Sequence, residues 1–330
     1  MTDRILDFSQ RPAHLALRNG LLRIEWKDAS EPLEIPLAEI GAVILAHREV
    51  TITQAALAGF ATAMIPTITC DERFRPVGLL LPVEGHQEQQ KRFRAQAALS
   101  QPRSKRLWQI VVKAKIRAQA QVLEHTQGID FGLRAHARRV GSGDTTNVEA
   151  QAARRYWASL FILPEIDAPQ FIRANDDDPR NHLLNYGYAV LRSTVARGLC
   201  ASGLHPSFGI HHHGPFNTFP LADDLVEPFR PCVDLAIHDE WKARRLAAKE
   251  FLLDPASKRV LYEILGTRYP SGGESRTLAH WILLSCQSLA RSIQDAESAL
   301  ELPEWESLPS KYDSRTVSNH VAPRNVRLAR

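Results

Sequence analysis

Along the first 85 or so residues, short apolar runs alternate with polar and turn residues, a pattern typical of β-strands. Leu15–Trp26 consists of two apolar runs joined by Asn19-Gly20, which predicts a β-hairpin because both turn residues tolerate positive φ. Thr53–Phe60, rich in alanine and leucine, is the one helix predicted in this part. Further short apolar segments, punctuated by proline and glycine, predict strands at Leu33–Leu37, Ala42–Ala46 and Val77–Leu81.

After Gly85 the hydrophobic spacing becomes helical. Gln89–Leu99 predicts one helix, which Gln101-Pro102 interrupts, and Lys105–His125 predicts a second. The apolar positions of the second helix recur at helical spacing: Leu107, Ile110, Val111, Ala114 and Ala118. The remainder alternates helical stretches with polar loops. We therefore predict an α+β fold, with a small β-rich N-terminal domain (1–88), a larger α-helical catalytic domain (89–310) and a flexible tail (311–330).

Composition narrows the class of protein. The chain is 44% hydrophobic and 24% charged, as in soluble globular proteins. It has no run of about 18 apolar residues and no signal-peptide pattern at its start, which predicts a cytoplasmic protein without a membrane span. The four cysteines are far apart in sequence, which argues against a zinc ribbon or a disulfide framework.

Positive charge is concentrated in one segment. The net charge is +4, and Lys91–Arg117 holds nine Lys or Arg residues and no Asp or Glu. Such clustering is expected of a contact with a phosphate backbone, and equally of a solvated helix face. We predict DNA contacts by five basic residues: Lys105, Arg106, Lys113, Arg117 and Arg154.

Candidate chemistry begins at Glu149, which precedes the apolar stripe of a predicted helix and lies on the same side of it. The stripe is Ala152, Ala153, Tyr156 and Leu160. A carboxylate at the head of an apolar face needs a partner, such as a metal ion. On this segment alone the better alternative is a capping box, in which Glu149 bonds back to the Thr146 amide.

Two further segments carry metal-binding side chains. His211, His212 and His213 follow a glycine-rich turn, and at most one or two of them can serve a single metal. Asp224 and Glu227 are three residues apart, which places both on one side of a helical turn, although Pro228 disfavours helix at Glu227. The alternatives are that the histidines lie in a solvated loop and that the two acids lie on a solvated helix face. Together these residues could hold Mg²⁺ or Mn²⁺ and activate a phosphodiester.

Four motifs, in this order and spacing, resemble the CRISPR adaptation integrases of the Cas1 family. They are Glu149–Tyr156, Asn181–Tyr188, Gly203–His212 and Ala222–Pro231. Lys105–Arg117 also resembles the family's linker helix, and Glu-Pro-Phe-Arg at 227–230 resembles its type II branch. The resemblance implies Glu149, His212 and Glu227 as catalytic metal ligands for Mg²⁺ or Mn²⁺. It also implies Asp224, either as a further ligand or as a support for the others.

The resemblance further implies partners and a reaction. The family works as homodimers, two of which flank a dimer of a small companion protein, Cas2, in a larger hetero-oligomer. The expected reaction joins the 3′-hydroxyl ends of a short captured double-stranded DNA to a leader-proximal repeat by transesterification. Two alternatives are a stand-alone metal-dependent DNA nuclease and a non-catalytic DNA-binding scaffold.

Overall fold

The computed structural model describes residues 4–9, 11–28, 31–72, 76–83, 86–163, 170–173, 175–252 and 254–309. Strands dominate up to Leu80 and helices dominate from Gln89 onward, so the predicted α+β class is confirmed. The division into two domains at residue 88 stays a prediction, and the predicted tail at 311–330 lies outside the described residues.

Within its described residues, the N-terminal part contains two four-stranded sheets and one α-helix. Its strands are β1 (Arg4–Phe8), β2 (Ala13–Arg18), β3 (Leu21–Trp26), β4 (Leu33–Pro36), β5 (Ile40–Leu45), β6 (Thr51–Ile52), β7 (Thr67–Cys70) and β8 (Pro76–Leu80). One sheet has the order β4-β3-β2-β6, and the other has the order β1-β5-β7-β8. In the second sheet, β5 pairs parallel to both β1 and β7.

The local signals of the N-terminal part act as predicted. β2 and β3 pair antiparallel across Asn19 and Gly20, whose φ values of 51° and 76° are those that the hairpin turn requires. Helix α1 (Gln54–Thr62) begins after Thr53, whose hydroxyl accepts a hydrogen bond from the Ala56 amide at 3.2 Å. Phe60 on this helix is fully buried in the core of the sheets.

The C-terminal part is built from nine helices and one hairpin in the described residues. The helices are α2 (Gln89–Ala97), α3 (Gln101–Gln127), α4 (Leu133–Arg139), α5 (Val148–Leu160), α6 (Pro179–Ala201), α7 (Pro220–Val226), α8 (Arg230–Leu246), α9 (Pro255–Gly266) and α10 (Leu278–Gln294). The hairpin pairs β9 (Arg268–Ser271) with β10 (Glu274–Thr277) and turns at two glycines of positive φ. None of the described helices is long and apolar enough to cross a membrane.

Helix α3 is the central element, because it packs against α4, α5 and α8. It starts at Gln101, four residues before the predicted start, since Pro102 fits in the first turn, where its missing N–H is not needed. Four of the five predicted apolar positions are buried, and Ile110 is half-buried. The same helix also buries Lys115, with 9% of its surface exposed. A charged side chain at this depth needs an opposite charge close by.

The two parts of the chain share contacts. Ile44 and Ile68 of the second sheet belong to the same hydrophobic core as the helices. The Tyr262 hydroxyl of α9 donates to the Asp7 carboxylate at 2.6 Å, and Lys258 donates to the Ser9 hydroxyl at 3.2 Å. These bonds fix α9 against β1.

Candidate active site

Glu149 lies in the first turn of α5, and its backbone shows how that helix begins. The Asp144 carboxylate accepts hydrogen bonds from the Val148 and Glu149 amides, both at 2.9 Å. Asn147, in the left-handed region with φ 54°, is the residue that precedes the helix. The capping box between Thr146 and Glu149 is therefore wrong, because Asp144 caps the helix instead. The Glu149 side chain is left to make other contacts.

The Glu149 carboxylate contacts Lys115, a residue that the sequence did not identify. Lys115 Nζ donates to Glu149 Oε1 at 2.5 Å, and Glu227 Oε2 lies 2.5 Å from the same nitrogen. Glu149 and Glu227 are thus brought together around one cationic group, although 78 residues separate them in sequence. The sequence contains one signal that could have identified Lys115. It lies four and three residues after the buried Val111 and Val112, and this spacing places it on the same, buried side of α3.

Glu227 is buried at the junction of two helices. It ends α7 with helical φ and ψ of −53° and −45° and opens a single 3₁₀ turn, Glu227–Phe229, before α8. The expectation that Pro228 disfavours helix at Glu227 is therefore wrong, because Glu227 has helical angles directly before the proline. Pro228 itself is accommodated because it lies in the first turn of the 3₁₀ segment. Glu227 Oε1 lies 3.2 Å from the Arg230 guanidinium. Its other oxygen, Oε2, is the atom that lies 2.5 Å from Lys115 Nζ.

The opposite charges of Lys115, Arg230 and the two glutamates stabilise each other's ionised forms. Burial by itself raises the pKa of Glu227, but the positive charges of Lys115 and Arg230 outweigh burial and lower that pKa overall. Burial likewise lowers the pKa of Lys115, and the two carboxylates outweigh it and raise that pKa. The ammonium and the Glu227 carboxylate are consequently both ionised at neutral pH.

His212 is held in place by Asp224, which is completely buried on α7. Asp224 Oδ1 accepts from His212 Nδ1 at 2.6 Å and from the His212 amide at 3.1 Å. Asp224 Oδ2 accepts from the Ile210 and His211 amides at 2.7 and 3.0 Å. The hydrogen bond to Asp224 raises the pKa of His212. Because Nδ1 is engaged, Nε2 is the nitrogen that His212 can offer to a metal.

The three histidines have different surroundings, as their adjacency predicts. His211 stacks on Trp108 of α3, with ring centroids 4.1 Å apart, and His213 is exposed. The loop turns tightly at Gly209, where a Cβ atom would lie 2.3 Å from the His212 carbonyl oxygen. Only glycine fits there, so the Gly-x-x-His spacing has a steric reason.

A metal site composed of Glu149, His212 and Glu227 stays a prediction. Among the described residues, no group of three or more His, Cys, Asp or Glu side chains lies in an arrangement that could hold a metal ion. The donor chemistry nevertheless fits, because carboxylate oxygens suit Mg²⁺ and Mn²⁺ and imidazole suits Mn²⁺. The position between Glu149 and Glu227 also already accommodates a cation, the Lys115 ammonium.

The five residues predicted to contact DNA differ in their exposure and in their partners. Lys105, Arg106 and Arg154 are exposed, and Lys113 is half-buried. Arg117 is exposed but pairs with Glu304. Elsewhere in the basic segment, Arg92 pairs with Glu88 and Arg103 donates to the carbonyls of residues 292, 295 and 298. The segment is therefore partly structural, and its surplus charge lies on fewer side chains than the sequence implied.

Asp234 is a buried acid on α8, four residues after Arg230. Asp234 of α8 accepts hydrogen bonds from the hydroxyls of Tyr156, at 2.9 Å, and Tyr188. Burial raises the pKa of Asp234 to about 6, against which the two hydroxyls act. These hydrogen bonds join α5, α6 and α8.

Comparison with known proteins places the chain in a family. Residues 8–263 match the family CRISPR associated protein Cas1. A CRISPR-associated endonuclease Cas1 from Neisseria meningitidis serogroup C (strain 8013) is 39% identical over 259 residues, which are 78% of this chain and 81% of that protein. The chain therefore belongs to the Cas1 family, as its motifs predicted. The Neisseria relative is consistent with the type II-like branch expected from Glu-Pro-Phe-Arg.

Solved structures share the fold. A casposase bound to integration product has a TM-score of 0.76 and 21% identity, with 96% of this chain and 98% of that chain covered. A Cas6-RT-Cas1–Cas2 complex has a TM-score of 0.71 and 20% identity, with 92% of this chain and 36% of that chain covered. At these identities the likeness concerns the fold alone.

Proposed function

We propose that this Cas1-family chain is a CRISPR spacer-acquisition integrase that joins the 3′-hydroxyl ends of a short captured duplex to a repeat array. The observation that carries the proposal is the convergence of Glu149 and Glu227 on one cation position, with the oriented His212 imidazole on the adjoining loop. A divalent ion held by these residues would stabilise the negative charge that develops on phosphate oxygens during transesterification.

The chain's own residues would prepare the site. Asp224 fixes the ring of His212 and makes Nε2 the ligand atom, as partners of metal-bound histidines commonly do. We assign Asp224 a supporting role rather than direct ligation, because both of its oxygens accept hydrogen bonds from the histidine loop. Arg230 holds Glu227 Oε1, and Lys115 balances the carboxylates until Mg²⁺ or Mn²⁺ binds.

The proposed partners are double-stranded DNA and Cas2, with the chain acting as a homodimer in a larger hetero-oligomer. Two neighbours of the same fold support this part of the proposal: one was solved with an integration product, and the other within a Cas1–Cas2 complex. Lys105, Arg106 and Arg154 are the exposed basic residues that we propose for the DNA contact, together with Lys113 and Arg117.

A joining assay tests the proposal. The protein is incubated with Cas2, Mn²⁺ or Mg²⁺, a labelled 3′-hydroxyl duplex and a supercoiled plasmid that carries a leader and a repeat. We expect label to become covalently attached to the plasmid, and Glu149→Gln, His212→Ala and Glu227→Gln to abolish the attachment. A duplex with 3′-dideoxy ends is the substrate control, and Glu72→Gln, at an exposed glutamate of the N-terminal part, is the protein control.

The other outcomes separate the alternatives. Joining that survives all three substitutions would mean that the site is elsewhere. Cleavage of DNA without joining would identify a stand-alone nuclease. DNA binding with neither cleavage nor joining would identify a scaffold.

A further inference from the structure

Phe216 is an exposed aromatic residue on the loop that follows the candidate metal ligand His212. Its surface is 98% exposed, more than that of any other large apolar residue among the described residues. A single exposed apolar side chain is ordinary on a protein surface and has no role by itself. Phe216 differs from such a residue in two respects, the rigidity of its backbone and its position beside the candidate site.

The ring is carried by a β-turn that runs from Gly214 to Asn217. The Asn217 amide donates to the Gly214 carbonyl at 3.0 Å, which closes the turn. Pro215 occupies the second position of the turn, where its fixed φ is favourable. Phe216, in the third position, therefore has a defined backbone although its side chain makes almost no contact with the protein.

The side chain of Asn217 anchors this turn to two helices. Its Oδ1 accepts hydrogen bonds from the Phe219 amide at 3.1 Å and from Arg192 at 3.2 Å. Arg192 of α6 also pairs with Asp223 of α7 at 2.6 Å. Because the turn is already fixed, a ligand that contacts the ring has little backbone to order when it binds.

The anchored turn lies beside the candidate metal site. Asp224, which orients His212, is the residue next to Asp223 on α7. Phe216 follows His212 by four residues, so their Cα atoms are at most about 14 Å apart. A nucleotide that reacts at a metal held by His212 therefore lies near the Phe216 ring.

The chemistry of the turn favours a nucleobase as the partner of the ring. Gly214, Pro215 and Asn217 are small or polar, so the exposed apolar surface is close to that of a single ring. Protein interfaces instead bury a core of several apolar and aromatic side chains. A lone aromatic ring can stack on any base, because every base has a π-face.

The position of a base in its strand decides which base can accept the ring. Inside a duplex each base is stacked on both faces, so a ring could enter only if two neighbouring bases first came apart. A terminal base has one free face. The nucleotide whose 3′-hydroxyl reacts is terminal in the captured duplex, whereas the attacked phosphodiester lies inside the repeat.

We propose that Phe216 stacks on the terminal base of the captured duplex, whose nucleotide carries the reacting 3′-hydroxyl. This assignment rests on the proposed function. Stacking fixes the last nucleotide of the strand, so that its hydroxyl approaches the attacked phosphodiester in one orientation. The ring positions the strand and takes no part in bond making.

A double-mutant cycle between protein and DNA tests the stack. The captured duplex is made with an abasic terminal nucleotide that keeps its sugar and its 3′-hydroxyl. We expect this change to weaken binding to wild-type protein with Cas2 by about tenfold, and Phe216→Ala to weaken binding of the intact duplex similarly. In Phe216→Ala the abasic nucleotide should cause no further loss, since the two changes remove the same contact.

Three further variants separate stacking from other effects. Phe216→Trp keeps an aromatic face and should retain binding, whereas Phe216→Leu keeps apolar volume without a ring and should behave as Phe216→Ala does. Leu246→Ala, at another exposed apolar residue of the helical part, should leave the abasic effect at its wild-type size. Because both side chains are exposed, thermal unfolding should be unchanged in all these variants.

A photochemical measurement on the wild-type protein requires neither a variant nor the joining reaction. 5-Iodouracil replaces the terminal base, the complex with Cas2 is irradiated, and the crosslinked peptide is identified by mass spectrometry. We expect the crosslink at Phe216. The same label placed in the repeat, next to the attacked bond, should not crosslink to Phe216.

The outcomes distinguish this inference from the function on which it rests. If wild-type protein joins DNA but the abasic loss is equal in Phe216→Ala, or the terminal label crosslinks elsewhere, the stacking assignment is wrong. A crosslink from the repeat to Phe216, or loss of Cas2 binding in Phe216→Ala, would also overturn it. If the terminal label crosslinks to Phe216 in a protein that never joins DNA, the ring contacts the base and the proposed reaction is wrong.

Discussion

Lys115→Met removes the cation between Glu149 and Glu227 while keeping a long, flexible side chain on α3. Glu227 is 4% exposed, so the substitution leaves a buried carboxylate without its closest positive charge. Removing one partner from a buried ion pair costs about 3–5 kcal/mol. The Glu149 side chain is 25% exposed, and water can solvate it in part. We therefore expect metal-free Lys115→Met to lose about 3 kcal/mol of unfolding free energy.

The same substitution should strengthen metal binding. In the wild-type protein a divalent ion must displace the ammonium from both carboxylates, whereas in Lys115→Met it meets no competing cation. We expect Mn²⁺ to bind the variant at least about tenfold more tightly, a difference of roughly 1.4 kcal/mol. At a free Mn²⁺ concentration of about 100 times the Kd, binding should restore about 2.7 kcal/mol of stability.

The assay combines denaturant unfolding in a chelator with Mn²⁺ titration calorimetry. Lys113→Met is the matched control, because Lys113 lies on the same helix, is half-buried, and contacts neither carboxylate in the described structure. Two results would contradict these expectations. One is a metal-free Lys115→Met variant as stable as wild type, and the other is unchanged or weaker Mn²⁺ affinity.

Three further substitutions test other contacts of the site. Asp224→Asn should lower both Mn²⁺ affinity and joining rate by about 10–100-fold, because the amide cannot accept all the bonds that orient His212, and calorimetry should show the loss even without DNA. Gly209→Ala should abolish joining without global unfolding, since its Cβ would meet the His212 carbonyl, and circular dichroism checks the fold. Asp234→Asn should change the pH dependence of stability. Burial raises the pKa of Asp234 from 3.8 to about 6, so its stabilising effect is complete below pH 4 and is lost as pH rises through 6. Unfolding free energies at pH 4 and pH 8 should therefore differ by about 3 kcal/mol more in wild type than in Asp234→Asn, and equal differences would show that Asp234 does not titrate in this range.

Local patterns predicted the elements that depend on neighbouring residues. Asn19-Gly20 predicted the hairpin, the segment from Thr53 predicted where α1 begins, and apolar spacing predicted most of the buried face of α3. The strands β1 and β7 were not predicted, because their pairing partner β5 is distant in sequence or separated by a helix. A short strand of this kind is defined by its partner more than by its own residues.

The candidate site likewise depends on contacts between residues that are distant in sequence. Three distant segments supply Glu149, His212 and Glu227. Their side-chain types suggested a shared metal site, and the family resemblance then chose these three residues. Lys115 was missed because a lysine in a basic segment was taken to face solvent or DNA, and its burial follows from two carboxylates that other elements bring to α3. The role of Asp224, as a direct ligand or as a support for the others, could not be decided either, since it depends on the backbone amides of the histidine loop.

We propose that Glu149 and Glu227 belong to a metal site that joins DNA strands. The most direct test is the joining reaction of wild-type protein and Glu149→Gln, compared in the same experiment with Mn²⁺ binding measured by calorimetry on the same preparations. Wild-type protein should bind Mn²⁺ and attach the labelled duplex to the plasmid, and the folded variant should do neither. A folded Glu149→Gln protein that joins DNA as well as wild type would contradict this proposal.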